Sequence, residues 1–203
     1  RSHCVKLDTE GAYLFAKTRT GVAHCPCSNM RLASGILPLR KLLDAGVQVG
    51  LGVDGSASND AANLLNEARQ AMLLARVGRA LEPARIEEGR TVFGCDLGPA
   101  EMTPRDALRL ATRGGAQVLG RAHETGQITK GFCADLAMFR TDTLSMAGAA
   151  VHDPVGALLL CNSDKADYTV VNGRVVVRQG QIATVDMGPV VERHNQLAMA
   201  LVA

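Results

Sequence analysis

The sequence predicts an α/β fold, and three observations carry that expectation. Short apolar runs alternate with amphipathic helical stretches through the first ninety residues. The turns between them are short, which calls for parallel strands joined by right-handed crossovers. The run Val47 to Val53 is apolar almost throughout, as strands covered on both faces are.

Taken in order, residues around His3 to Val5 read as the end of a strand, and a helix from about Glu10 to Lys17 follows. A strand from Gly21 to Cys25 comes next. A second helix spans about Ile36 to Ala45, with Gly46 as its C-terminal stop. After the strand Val47 to Val53, Ser58-Asn59-Asp60 is expected to cap a long helix reaching about Arg76. Its apolar residues Leu64, Leu65, Ala68, Met72 and Ala75 recur at spacings of three and four, the stripe of a helix lying on a sheet.

Gly78 to about Met102 reads as a loop rich in Gly and Pro. Thr103-Pro104-Arg105-Asp106 then opens a helix with a hydroxyl cap, a Pro in the first turn and an acid nearby. That helix is expected to stop at Gly114-Gly115, with one more helical turn ending at Gly120. Beyond it the pattern becomes β. Cys133 to Phe139 reads as a strand, and Asp167 to Val171 and Arg174 to Arg178 flank Asn172-Gly173, a type I′ hairpin signal. A final amphipathic stretch from Val190 to Val202 is helical in pattern. The domain boundary falls near Gly120 to Gly131.

Composition narrows the class. Of 203 residues 47% are apolar, enough for a sizeable core, and a formal charge of +2 with both signs interspersed gives no basis for steering toward nucleic acid or membrane. No apolar stretch approaches the roughly 18–20 residues that span a bilayer, and the start has no signal-peptide layout. Six Cys, at 4, 25, 27, 95, 133 and 161, are too sparse for a disulfide scaffold and read as reduced thiols of a cytoplasmic protein. The chain begins at Arg1 without Met, and His3 arrives before any strand could support it. That opening reads as the back part of an enzyme.

Asp54 is the residue of greatest chemical interest. It ends the apolar run Val49 to Val53 and is followed by Gly55 and a helix. The plain alternative is a turn Asp before Gly55. A carboxylate at the C-terminal end of a buried strand, however, stands where βα barrels place their catalytic groups. It can hold a divalent ion and take a proton from water. His3 and His24 end the two preceding strand-like runs, and a carboxylate with two imidazoles at neighbouring strand ends is metal-hydrolase chemistry. His24, Cys25 and Cys27 suggest a zinc knuckle, but no second ligand pair lies downstream at the spacing such sites use. The His-x-Glu and Pro-Cys-x-x-Cys pattern of nucleic-acid-editing zinc deaminases also fails, because Ser28 and Asn29 follow Cys27. These three residues read as pocket wall, or as packing. Gly55, Ser56, Ser58 and Asn59 lack the Lys of a P-loop, and helix capping explains them more simply. His123, His152 and His194 fall outside the expected site.

The run Gly21 to Gly35, with Ala23-His24-Cys25-Pro26-Cys27-Ser28-Asn29-Met30 at its centre, resembles the seventh-strand segment of amidohydrolase-superfamily deaminases. Val49 to Asp60 is similar to their eighth strand and loop. Leu108 to Gly120 and Lys130 to Leu136 are similar to the segments that lead into their composite β domain. Cys-Pro-Cys-Ser-Asn-Met, Val151-His152-Asp153-Pro154 and Leu160-Cys161 resemble most closely the 8-oxoguanine deaminase branch, with the hydroxyatrazine and s-triazine aminohydrolases as near relatives.

The resemblance implies the C-terminal part of a (β/α)8 TIM-type barrel, about three strands of eight, over residues 1–120. Part of a small composite β domain over 121–183 and a helical tail over 184–203 would follow. Asp54 matches the metal ligand and proton shuttle, and His3 the group that polarises the attacking hydroxide. His24, Cys25 and Cys27 would contact substrate. One divalent metal is implied, Zn2+ ahead of Fe2+, and its other ligands have no counterpart in this chain. The implied reaction of the parent enzyme is hydrolytic deamination of an amino-substituted purine-like ring, of the 8-oxoguanine-to-urate type. The alternatives are an s-triazine aminohydrolase and a non-catalytic assembly protein. The expected partner is a small heterocyclic substrate, with no nucleic acid and no membrane, in a parent that forms homo-oligomers. The chain alone is expected to be inactive, to bind zinc weakly and to fold poorly.

Overall fold

The structure, a computed structural model, describes residues 1–161 and 165–201. The first helix, α1 (Thr9–Thr18), starts where the Asp8 carboxylate accepts the Gly11 N–H at 2.8 Å and ends at Arg19 in the left-handed region. There follow β1 (Val22–His24), α2 (Pro26–Arg31), α3 (Leu39–Asp44) and β2 (Val49–Leu51). β1 and β2 pair in parallel, with Val22 opposite Val49 and His24 opposite Leu51. Gly46 ends α3 as expected: its φ is 83°, and Val47 N–H closes the turn onto Leu42 O at 2.9 Å.

The strand expected at His3 to Val5 is not formed. Pairing on the free side of β1 is a single parallel bridge from Ser2 to Ala23. Ala23 N–H donates to Arg1 O and His3 N–H to Ala23 O. His3 and Cys4 then turn into the left-handed region at φ 64° and 55°, where Cys4 N–H bonds back to Ser2 O. The extended segment therefore ends one residue before His3.

The long helix α4 (Leu64–Ala80) is capped by Asn63, whose side chain accepts the Asn66 N–H at 3.1 Å. Ser58-Asn59-Asp60 does not cap it, because those side chains are engaged elsewhere: Ser58 on Asp54, Asn59 on Val53 O, and Asp60 on Arg31. The helix also outruns its expected end at Arg76. Its buried face is Glu67, Ala68, Ala71, Met72 and Ala75, whereas Leu64 is exposed, so the stripe is rotated from the expected one. Within the expected loop 78–102 lie the exposed antiparallel pair β3 (Arg85–Glu87) and β4 (Arg90–Val92) and a 3-10 segment, Gly94–Glu101.

α5 (Pro104–Arg109) opens with a reciprocal cap. Thr103 Oγ1 accepts the Asp106 N–H, and Asp106 accepts the Thr103 N–H. The glycine pair does not stop this helix. A π turn at Leu110–Gly114 carries it into α6 (Gly115–Val118). The glycines serve close packing on β2 instead. A Cβ built on Gly114 would lie 2.3 Å from Val49 O, and one on Gly50 would lie 2.8 Å from Gly115 Cα.

Two short helices that the sequence pattern did not suggest, α7 (Ala149–His152) and α8 (Pro154–Leu160), come next, and α8 packs on α4 and α5. The C-terminal β unit has the order β5 (Leu136–Met138), β6 (Tyr168–Val171), β7 (Arg174–Arg178), β8 (Gln181–Ile182), all antiparallel. β5 is shorter than the strand expected over Cys133 to Phe139. Asn172 and Gly173 have φ 48° and 79°, as a type I′ turn requires. α9 (Met187–Leu201) buries no side chain, and Val202 and Ala203 of the expected tail lie outside the described residues.

The main core joins Val22, Leu39, Leu42, Val49, Ala68, Met72, Met102 and Leu110 beneath the parallel pair. Fully burying a side chain the size of Leu42 or Met72 stabilises by about 1.5–3 kcal/mol. This core holds β1 and β2 in one orientation, so both C-terminal ends open on the same side. Among the described residues no helix is long and apolar enough to cross a membrane.

Candidate active site

Three chain ends meet at that side of the sheet. His3 follows the bridge at Ser2, Cys25 follows β1 as the N-cap residue of α2, and Asp54 follows β2 after Gly52 and Val53. Asp54 adopts φ 62°, a left-handed conformation that Asp accepts more readily than most residues. The turn it makes aims its carboxylate back over the sheet end.

Asp54 Oδ2 accepts the Ser28 hydroxyl at 2.6 Å and the Ser58 hydroxyl at 3.1 Å. The Ser28 hydrogen bond, then the Gly55 backbone N–H and Ser58, hold the Asp54 carboxyl below the usual carboxylate range. It is ionised at neutral pH. His3 Nε2 stands 3.6 Å from the same Oδ2, and both side chains are about one-third exposed, at 37% and 33%. His3 Nδ1 lies 2.8 Å from Asn29 Oδ1. The structure thus brings together His3 and Asp54, which are 51 positions apart in sequence.

His24 is placed differently. Its side chain is buried at 2% exposure, and burial, followed by the nearby His3, pushes its pKa down to about 4. It is neutral at physiological pH, and its buried Nδ1 has no hydrogen-bond partner among the described residues. Cys25 is buried, and burial with the Asp54 and Glu67 charges raises its thiol to about 11. Burial and a hydrogen bond to Glu67 raise Cys27 to about 12. Cys27 Sγ also accepts from Asn66 Nδ2 at 3.4 Å, which ties this thiol to α4. Neither thiol is poised as a nucleophile, since the thiolate is the reactive form.

Several residues that sequence reasoning did not place in the site support it. Ser28 and Asn29 sit in the first turns of α2 and engage Asp54 and His3. Glu67, fully buried on α4, accepts the Cys27 N–H at 3.0 Å and Asn59 Nδ2 at 2.7 Å, and Asn59 Nδ2 also donates to Val53 O at 2.7 Å. One buried carboxylate therefore fastens the loops after β1 and β2 together. A signal for it existed, because a lone acid at position 67 lies at helical spacing with Ala68, Ala71, Met72 and Ala75. An acid there must find donors inside the fold. His123, His152 and His194 are exposed. Among the described residues no group of three or more His, Cys, Asp or Glu is placed to hold a metal ion.

Parallel strand–helix units with an ionised carboxylate and an imidazole facing each other at the strand ends define an α/β protein of the kind that binds ligands at that edge. The chain belongs to the amidohydrolase family, which it matches over residues 1–182. It is 42% identical over 202 residues to the 8-oxoguanine deaminase of Pseudomonas aeruginosa, covering 100% of this chain and 40% of that protein. Among solved structures it resembles the zinc-complexed atrazine chlorohydrolase of Arthrobacter aurescens, with TM-score 0.82 and 35% identity over 97% of this chain and 40% of the other. It also resembles an adenosine deaminase from Xanthomonas campestris with bound zinc, with TM-score 0.83 and 26% identity over 96% and 40% of the two chains. The chain spans about 40% of the length of these relatives.

Proposed function

We propose that this chain carries part of the active site of a hydrolytic deaminase acting on an amino-substituted purine-like ring, with 8-oxoguanine as the first candidate substrate. The observation that carries the reading is the ionised Asp54 carboxylate, held by Ser28 and Ser58 and facing His3 Nε2 at 3.6 Å. The 42% identity to a named 8-oxoguanine deaminase supports the substrate choice. The likeness to an atrazine chlorohydrolase supports an s-triazine as the second. On this reading Ser2 and the strands β1 and β2 are three of the eight strands of a barrel within residues 1–120. Residues 121–183 are part of the composite β domain and 184–203 the tail. The whole enzyme is a cytoplasmic homo-oligomer.

The donors present fit one side of a metal site. Asp54 offers a carboxylate oxygen and His3 an imidazole nitrogen, where catalytic zinc takes three protein ligands. Asp54 would hold the ion, with the remaining ligands supplied from outside these residues. When bound, the metal acts as a Lewis acid that lowers the pKa of water toward about 7. Asp54 accepts a proton from the attacking water and delivers it to the departing amine. Ser28 and Ser58 keep Asp54 in the ionised form that can accept that proton, and His3 orients the water. Cys27, half-buried at the start of α2, is the part of the wall that can meet the ring, with His24 and Cys25 packed behind it. Neutral His24 adds no charge beside an uncharged heterocycle.

The test is Asp54→Asn in the full-length protein that contains this chain, assayed by ammonia release from 8-oxoguanine, guanine and a hydroxytriazine. Turnover is expected to fall by orders of magnitude with the fold retained, because Asn keeps the shape and cannot carry the proton. Cys25→Ala and Cys27→Ala are expected to change the ratio among the three substrates. Retained turnover in Asp54→Asn would remove the assignment.

A further inference from the structure

We infer that Asn29 is a positioning residue that selects the protonated nitrogen of His3. The inference rests on the role of His3 proposed above and concerns which of its nitrogens is left bare. His3 Nδ1 lies 2.8 Å from Asn29 Oδ1. An amide oxygen only accepts, so neutral His3 carries its proton on Nδ1 and donates it to Asn29. Nε2 is then left with a lone pair, and Nε2 is the atom that faces Asp54.

The surroundings of Nε2 agree with a bare nitrogen. The distance of 3.6 Å to Asp54 Oδ2 is too long for an N–H···O hydrogen bond. Oδ2 already receives the hydroxyls of Ser28 and Ser58, so the carboxylate does not depend on Nε2 for a donor. Two acceptors, Nε2 and Asp54, therefore border one space, and only a species with donors or positive charge suits it. A water donating to both matches the attacking group of the proposed reaction.

Asn29 is well placed to enforce this choice. It is 1% exposed. Its backbone N–H bonds Cys25 O at 3.0 Å, and its carbonyl accepts the Ser34 N–H at 2.9 Å. The backbone of Asn29 is thus held on both sides, and its side chain meets His3 through Oδ1 while the buried Nδ2 has no partner among the described residues. The preceding residue, Ser28, holds Asp54. One turn of α2 thereby sets the ionisation of the carboxylate and the tautomer of the imidazole, since the hydrogen bond at one ring nitrogen determines the state of the other.

The tautomer is directly observable. In the full-length protein that contains this chain, labelled with 15N-histidine, long-range 1H–15N spectra at mildly alkaline pH distinguish Nδ1–H from Nε2–H rings, and His3→Gln assigns the His3 signals. Wild type is expected to give predominantly Nδ1–H at His3. Asn29→Ala should invert the populations toward Nε2–H, while Asn29→Asp, whose carboxylate still accepts from Nδ1, should restore the wild-type pattern. A merely structural role for Asn29 would not follow that order. A wild-type His3 that is Nε2–H overturns the inference without any variant, because the carboxamide would then be donating to Nδ1 through its nitrogen. Loss of the pattern in Asn29→Asp as well as in Asn29→Ala also overturns it. The spectra report the tautomer whether or not the enzyme deaminates any purine, so a wrong substrate assignment would leave them unchanged.

Discussion

The adjacent glycines 114 and 115 should respond to the same substitution with opposite signs. Both have helical φ and ψ, −60° and −48° at Gly114 and −57° and −46° at Gly115. Alanine in such a conformation is favoured over glycine by about 0.5–1 kcal/mol. At Gly115 the added Cβ meets nothing within 4 Å, so Gly115→Ala should stabilise by about that amount. At Gly114 the Cβ would lie 2.3 Å from Val49 O and 3.3 Å from Arg109 O. The first contact is with backbone and cannot be relieved by a rotamer. The helix must move about 1 Å off β2, and overpacking of this kind costs about 1–3 kcal/mol. The propensity gain is common to both variants, so the difference between them isolates the clash at about 1–3 kcal/mol. Urea denaturation followed by circular dichroism measures it as a difference in midpoint at constant slope. Gly50→Ala, whose Cβ would meet Gly115 Cα at 2.8 Å from the strand side, should also destabilise. Equal stability of Gly114→Ala and Gly115→Ala would refute the close-packing explanation and return the pair to an ordinary helix ending.

Two further measurements test the site and the long helix. His24 has its folded pKa pushed from 6.5 to about 4, so the unfolded chain binds its proton first as pH falls. The stability is present above pH 6.5 and is lost on descending toward 4, by on the order of 3 kcal/mol for the full shift. The stability difference between wild type and His24→Leu should therefore shrink across that window, and a difference independent of pH would contradict a neutral buried His24. At the start of α4, Asn63→Ala should cost about 1 kcal/mol as a lost cap, whereas Asp60→Ala breaks only an exposed pair with Arg31 and should cost about 0.5 kcal/mol or less. Thermal melts that rank the two the other way would restore the cap to the earlier residues.

By itself the sequence determined the alternation of strands and helices, the stop at Gly46, the type I′ turn at Asn172-Gly173 and the candidacy of His3 and Asp54. Each of these follows from local chemistry or from periodicity within a few residues: a left-handed glycine, two positive φ angles in a row, or an apolar run ending in an acid. The tertiary structure decided what depends on groups far apart in the chain. Ser58 and Asn59 have the composition of a helix cap, but the Asp54 carboxylate and Val53 O compete for their side chains, so the cap passes to Asn63. Gly114 and Gly115 have the composition of a helix stop, but the carbonyl of Val49, 65 positions earlier, leaves no room for a Cβ, so glycine there permits contact and the helix continues. Glu67 lies on the apolar stripe of its helix, but which donors it takes is fixed only when Cys27 and Asn59 are brought to it. A short polar side chain has several partners of similar strength within reach of its own backbone. Which one it takes is settled by the distant group that arrives with the better geometry and the greater need, and that group is placed only when the strands pair and the core closes.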